Sequence, residues 1–372
     1  MNAILLGYGT VGKGVEILCQ KVKDLHLEQV FVRPSKTKLP YFSSNGKEMV
    51  TRKDIDIVFE CLNGIEPANT LITLALKNGK HVITSNKAVV SHNLKQYVQL
   101  AEMYGGSIQI EACVAGGIPF LDAILKLSEL EDINGYTGIF NGTCNFILDQ
   151  MQNQDLDFDF ALKKAQELGY AEADPTSDVE GFDVFYKANI TNMLAFKTKN
   201  EEIHAPIGIS KINKKDIALA KSNNKVIRHI AKSVQNGNEF TTIISPIFLN
   251  KNSFLANVPN NYNAQLIYAH SFDQLGYYGQ GAGQLATAQA MLANAIDTLH
   301  DRERKINLDS FKQNNEELLS LTWLIRSDKD INSIITTEKR VDNYYWVKNK
   351  NASIIDTVLN FNKKAMIALW EE

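Results

Sequence analysis

Glu172, Asp174, Asp178 and Asp183 crowd into one short stretch that ends at Lys187. Carboxylates and an ammonium at this density can bind a charged substrate, hold a cation, or move a proton. Asp183 and Lys187 stand four residues apart and so share one face of any helix that carries them. Such a pair reads either as a surface salt bridge, worth a few tenths of a kcal/mol, or as an acid/base group with its positioning partner. A metal cage is the third reading of the carboxylates. Their spacing is not that of a calcium loop and no His accompanies them, which argues against it. Around these residues the chain reads as a helix ending at Gly169, an acidic loop pinned by Pro175, and a second helix starting near Gly181.

A second constellation lies at the start of the chain. Gly7, Gly9 and Gly12 form a GxGxxG pattern, with Tyr8, Thr10 and Val11 between them, after an apolar strand and before a helix. In that context Gly7 allows a tight turn, Gly9 lets the backbone approach a pyrophosphate, and Gly12 allows close helix–strand packing. The helix N-terminus at Thr10 and Val11 offers N–H groups and partial positive charge to phosphates. The end of the second strand then decides the nucleotide. An acidic residue there would bind the ribose 2′-hydroxyl of NAD. Here Val30–Val32 runs into Arg33, with Lys36 and Lys38 behind it. A guanidinium suits a 2′-phosphate, so NADP is preferred, with NAD open; the same basic residues could also be a solvated loop.

The elements that must position these groups follow from periodicity. Strand-like Ala3–Leu6, Val30–Val32, Ile55–Phe59, His81–Ile83 and Ile108–Ile110 alternate with helical Val11–Val22, Ala68–Lys77 and Leu94–Tyr104. That is the rhythm of a Rossmann-type parallel sheet with crossover helices. From Asn134 the pattern loosens into Tyr136–Phe140, three helical stretches (Cys144–Gln152, Phe158–Leu168, Asp183–Phe196) and strands near Thr241–Leu249 and Gln265–Phe272. The expected organisation is therefore an α/β dinucleotide-binding domain over 1–133, completed by a returning helix near 283–300, and an α+β substrate-binding, catalytic and dimerisation domain over 134–282. A small separate C-terminal α/β module is expected over 308–372, with strand-like Leu321–Ile325, Tyr344–Val347 and Met366–Trp370. Because every chemistry-bearing motif precedes Asn307, the rest of the chain is expected to fold without this module.

Composition narrows the class. With 44% hydrophobic and 22% charged residues the chain is an ordinary globular protein, and at 372 residues it needs more than one core. A net charge of −3 gives no electrostatic footprint for nucleic acid or an acidic membrane. Apolar runs are strand-length, so no bilayer span is expected. The strand at Asn2–Leu6 leaves no room for a cleaved signal peptide. Cys19, Cys61, Cys113 and Cys144 lack CxxC spacing and read as reduced thiols of a cytoplasmic protein.

The stretch from Ala165 to Lys187 resembles the signature of the homoserine dehydrogenase family: Ala four before Gly169, then Glu172-x-Asp174-Pro175, Asp178, and Gly181-x-Asp183-x-x-x-Lys187. Five further motifs resemble the same family in unbroken order across residues 1–300. They are Gly7–Gly12, Thr84–Ala88, Glu111–Pro119, Phe140–Asn145 and Gly279–Gly283 with Thr287-Ala288. The resemblance implies reversible reduction of L-aspartate 4-semialdehyde to L-homoserine, in threonine and methionine biosynthesis, by a homodimer or homotetramer. It implies that Lys187 is the acid/base group, with Glu172, Asp178 and Asp183 on the substrate. Lys87 and Ser85 would lie at the nicotinamide with Asn63 beside the cofactor, and Gly169 and Gly283 would close around it. A structural monovalent cation, usually sodium, would sit on main-chain carbonyls of Glu111, Val114, Gly116 and Ile118. Departures are Asn63-Gly64 for the more usual Gly-Gly beside the nicotinamide, and Ser85 and Cys144 for the commoner Ala and Thr.

Rival classes are another amino-acid semialdehyde or saccharopine-type dehydrogenase, which the Glu172–Lys187 stretch does not fit, and a nucleotide-sensing homologue without turnover. An acylating semialdehyde dehydrogenase would need a nucleophilic Cys144, and no His is paired with it in the sequence. The C-terminal residues resemble a divergent ACT-type regulatory module that lacks the usual Asp-x-Pro-Gly ligand turn.

Overall fold

A computed structural model describes residues 1–36, 39–198, 203–308 and 311–372. The chain forms two compact units, one of 1–129 with 280–309 and one of 130–279 with 310–372.

The first unit opens with β1 (Asn2–Leu6), α1 (Thr10–Cys19), β2 (His26–Phe31), β3 (Phe42–Ser43) and α2 (Gly46–Thr51). It continues with β4 (Ile57–Glu60), α3 (Ala68–Lys77), β5 (His81–Thr84), α4 (Lys87–Tyr104), β6 (Ser107–Gln109) and α5 (Phe120–Leu127). All six strands are parallel, in the order β3-β2-β1-β4-β5-β6. This is the doubly wound order, whose ligands sit at the C-terminal strand ends where the order reverses, here between β1 and β4. The unbroken burial of β4 and of Ala3–Leu6 fits strands covered on both faces. Helix α4 begins seven residues before the expected Leu94. Ser91, His92 and Asn93 break its apolar repeat, but Asn86 caps it by accepting the Val89 N–H at 3.3 Å. Lys87 is thereby the first residue of the helix.

The second unit begins with β7 (Ile133–Ile139), α6 (Gly142–Asn153), α7 (Phe158–Glu167), α8 (Thr176–Val179), α9 (Phe182–Phe196) and α10 (Lys214–Ser222). Then come β8 (Lys225–Asn236), β9 (Glu239–Asn250), β10 (Tyr262–Ala269) and β11 (Asp273–Gln280). Strand β8 was not expected, because Arg228, His229 and Lys232 interrupt its apolar run. Arg228 is nevertheless buried, with Asp149 at 3.3 Å, and β8 pairs with β9 along its whole length. The chain next contributes α11 (Gln284–Leu299) to the first unit. A Cβ on Gly14 would lie 2.9 Å from the Ala288 Cβ, so α1 and α11 touch at the backbone.

The C-terminal residues form β12 (Gln313–Asn314), β13 (Leu321–Arg326), β14 (Lys339–Val341), β15 (Tyr344–Lys350), α12 (Ile354–Phe361) and β16 (Met366–Trp370). They do not make the expected separate module. Strand β16 pairs in parallel with β9, placing Leu369 opposite Ile247 and Trp370 opposite Phe248, so one sheet runs from β11 to β14. The physical reason is a shared core on both faces. Trp323, Ile325, Val347 and Ile367 pack with Ile230, Ile243 and Ile247. Leu324, Trp346 and Met366 pack with Phe146, Ile227 and Phe248. The fully buried Asp216 is tied to the same segment by Arg326 at 2.9 Å and the Tyr344 hydroxyl at 2.7 Å. Among the described residues, no helix is long and apolar enough to cross a membrane.

Candidate active site

In the first unit, Gly7 turns the chain after β1 at φ 100°, a conformation an L side chain resists, and its N–H donates to the Phe31 carbonyl at 3.1 Å. Gly9 caps α1, and a Cβ there would meet nothing within 4 Å, leaving its face open to a ligand. Gly12 lies in the first turn of α1, with Thr10 and Val11 before it at the partly exposed helix start. These features fit a dinucleotide pyrophosphate. Arg33 is exposed two residues beyond β2, with Lys36 in the following turn; Lys38 lies outside the described residues. Sequence reasoning missed a neighbouring cluster. Glu16 on α1 accepts from the hydroxyls of Tyr8 and Tyr41, and this bond chiefly pushes the Tyr8 phenol up to about 12.

Beyond β4 and β5, Asn63 is exposed and Ser85 and Lys87 are half-buried. The Asn86 side chain donates to the carbonyls of Leu62 at 3.0 Å and Gly64 at 2.8 Å, tying the two loops together. Beneath them lies Glu60, fully buried and also missed. It accepts from the Leu62 N–H at 2.8 Å and the Thr84 hydroxyl at 2.5 Å, while burial pushes its carboxyl up to about 7. Its signal was legible: an acid ending the wholly apolar, buried run Ile57-Val58-Phe59.

The carbonyl-bearing turn from Glu111 to Ile118 is compact, with Ala115 at φ 60° and Gly116 at φ 56°. The buried Glu111 carboxylate accepts the N–H groups of Leu121 at 3.2 Å and Asp122 at 2.6 Å, at the start of α5. Burial, and then the charge of Asp122, push this carboxyl well above the usual range. Among the described residues, no group of three or more His, Cys, Asp or Glu side chains could hold a metal ion.

In the second unit the acidic stretch resolves into a buried network. Lys187 is 8% and Asp183 4% exposed, which rules out a surface salt bridge. The Lys187 ammonium donates to Asp183 Oδ2 at 2.8 Å and to the Phe140 carbonyl at 2.6 Å. Asn141, the cap of α6, donates to Asp183 Oδ2 at 2.8 Å and to Asp178 Oδ1 at 2.6 Å. Asp178, Asp183 and Lys187 are therefore brought together, through an asparagine that in the sequence stands out only as one residue of the Phe140–Asn145 motif. Among the described residues the network does not extend to the exposed Glu172, whose carbonyl accepts from Gln166 at 3.1 Å. Gly169 ends α7 at φ 75°, and Gly283, in the first unit, caps α11 at φ 127°; each has open space where a Cβ would be. The Cys144 thiol is buried, donates to the Asp178 carbonyl at 3.1 Å, and is pushed well above its ordinary pKa by burial. A thiol so held is no nucleophile, which removes the acylating rival.

A buried ammonium fixed by a carboxylate and a carbonyl, and a nucleotide loop on a parallel sheet, are the parts of a nicotinamide oxidoreductase. Comparison with known proteins agrees. The model of the homoserine dehydrogenase NAD binding domain matches residues 7–111, and that of homoserine dehydrogenase matches 119–296. The chain is 36% identical to a homoserine dehydrogenase of Neisseria gonorrhoeae over 316 residues, 80% of this chain and 72% of that protein. A solved homoserine dehydrogenase of Thiobacillus denitrificans superposes with a TM-score of 0.89 at 27% identity, covering 100% of this chain and 98% of that one. A hyperthermophilic archaeal homoserine dehydrogenase, solved with NADPH, shares the fold at a TM-score of 0.70 and 22% identity, covering 82% of this chain and 99% of that one. The chain belongs to the homoserine dehydrogenase family, NAD(P)-dependent oxidoreductases that act on a CH–OH group.

Proposed function

We propose that the protein reversibly reduces L-aspartate 4-semialdehyde to L-homoserine with NADP(H), in the cytoplasm, as a step of threonine and methionine biosynthesis. The observation that carries this reading is the buried Lys187–Asp183 pair, joined through Asn141 to Asp178. When bound, the nicotinamide supplies or takes the hydride. Hydride addition builds negative charge on the carbonyl oxygen; the Lys187 ammonium stabilises that charge and delivers the proton, and in reverse the amine accepts it. Asp183 and the Phe140 carbonyl hold the ammonium in direction. Glu172, Asp178 and Asp183 bind the substrate's ammonium and hydroxyl end.

Lys87, Ser85 and Asn63 serve the nicotinamide side, with Gly169 and Gly283 leaving room for the cofactor. Arg33 is the basis for NADP(H), and the NADPH held by the archaeal relative is consistent with it. A sodium ion on the carbonyls of Glu111, Val114, Gly116 and Ile118 is part of the proposal. The successive left-handed residues Ala115 and Gly116 turn the chain between those carbonyls. Replacing sodium by choline should then lower the melting temperature. The four free thiols suit the cytoplasm, and a homodimer or homotetramer is the expected assembly.

The test is NADPH oxidation with L-aspartate 4-semialdehyde and NADP⁺ reduction with L-homoserine. Turnover in both directions supports the reading. NADPH binding without turnover would make the protein a nucleotide sensor instead.

A further inference from the structure

Glu60 ends β4 at the edge of the region where a doubly wound sheet binds its nucleotide. Its Oε1 accepts the Leu62 N–H at 2.8 Å and its Oε2 the Thr84 hydroxyl at 2.5 Å. The Thr84 oxygen accepts the Asn86 N–H at 2.9 Å, so the hydroxyl proton is committed to Glu60. Asn86 in turn donates to the carbonyls of Leu62 and Gly64 and caps α4, whose first residue is Lys87. One carboxylate thus ties the loop after β4 to the loop after β5 and to the helix start. A fully buried carboxylate costs stability wherever an uncharged side chain could fill the same space. Its presence here calls for a use.

We propose that Glu60 is a positioning residue whose ionised carboxylate holds the 61–64 and 85–87 loops in the form that accepts the nicotinamide, so that proton uptake by Glu60 weakens cofactor binding. This rests on the NADP(H) reading above. The ionised form presents a full acceptor oxygen to each donor; a proton on either oxygen makes that oxygen a weak acceptor and adds a donor, so the bond from Leu62 or from Thr84 is weakened. Burial is the main force raising this carboxyl to about 7, and the bonds from Thr84, Leu62 and Asn86 oppose it. The titratable groups facing it are the Cys61 thiol beside it, the Cys113 thiol beyond β6 and the Tyr97 phenol on α4. Burial and the Glu60 charge push all three up, so they stay neutral around pH 7. Lys87 is near enough to act on Cys113 in the opposite sense.

The experiment is a fluorescence titration of NADPH onto the full chain between about pH 5.5 and 8.5, for wild type and Glu60→Gln. Below about pH 7 the wild-type Kd should rise about tenfold per pH unit, as the competent fraction falls. Glu60→Gln should bind weakly at pH 8 and show no such slope, yet melt no lower than wild type there. Thr84→Val, which removes the link without changing charge, should move the wild-type midpoint to higher pH. NADPH binding by Glu60→Gln as tight as wild type at pH 8, or with the wild-type slope intact, overturns the proposal, as does an unmoved midpoint in Thr84→Val. Homoserine turnover is assayed alongside. Its absence from a wild type showing this binding profile would sink the substrate assignment and leave the Glu60 role standing.

Discussion

The Lys187 ammonium is clamped between Asp183 Oδ2 at 2.8 Å and the Phe140 carbonyl at 2.6 Å, so a side chain of α9 and the backbone beyond β7 fix it together. Two of its three protons are committed to these acceptors, and on the proposed mechanism the third is the one transferred. Lys187→Ala should lower kcat by roughly 10²–10⁴ while NADPH still binds. It should also destabilise the protein by about 3–5 kcal/mol, because Asp183 is left buried without its cation. Steady-state kinetics with separately measured cofactor affinity decide the point. A variant retaining more than about a tenth of wild-type kcat would move the acid/base role to Lys87 or a bound water.

Arg33 is exposed at the end of the second strand, where an acidic residue would select NAD. Arg33→Ala should raise KM for NADPH about tenfold or more and leave KM for NADH nearly unchanged, since only NADPH carries the 2′-phosphate. Equal effects on the two cofactors would remove Arg33 from the specificity argument.

How much of this was legible in the sequence depends on how local each feature is. The parallel sheet and the glycine turn were readable, because strand, turn and helix are adjacent in the chain. The pairing of Asp183 with Lys187 was readable from helical spacing. The clamp on Glu60 was not, since Thr84 reaches it only after β4 and β5 pair in register, Glu60 opposite Thr84. Asn141 joins Asp178 to Asp183 across a loop that no periodicity predicts. The C-terminal strands read as a separate module because their apolar residues find partners far back in the chain, Leu369 against Ile247 being the register point.

That last difference reverses the expectation for truncation. Ending the chain after Asn307 would strip β13, β15 and β16 from the sheet and expose the faces around Ile247 and Phe248. Each large apolar side chain uncovered costs about 1.5–3 kcal/mol, and a handful exceeds the 5–15 kcal/mol typical of a domain's whole stability. The truncated protein should be insoluble or without homoserine turnover. Trp323→Ala in the full chain, at a fully buried position, should cost about 3–5 kcal/mol. A soluble truncated protein with wild-type turnover would restore the separate module.

Two buried titratable groups should give opposite slopes of stability with pH. Glu60 is raised from 4.5 to about 7 by burial. The folded state therefore holds its proton more tightly than the unfolded chain, and the stability this gives below about pH 4.5 is lost as pH rises through 7. His229 is lowered from 6.5 to about 4, also by burial, with its Nε2 bonded to the Ile207 carbonyl at 2.9 Å. It stays neutral when folded, so stability present above about pH 6.5 is lost as pH falls toward 4. Each shift corresponds to about 3 kcal/mol over its window. Urea unfolding across this range should find Glu60→Gln gaining on wild type as pH rises from about 4.5 to 7. His229→Gln should gain on wild type as pH falls from about 6.5 to 4. The ring also packs close to the α9 cap: a Cβ on Gly181, at φ 87°, would lie 3.2 Å from His229 Cε1. Parallel pH profiles for wild type and both variants would show that neither group titrates between the folded and unfolded states as burial requires.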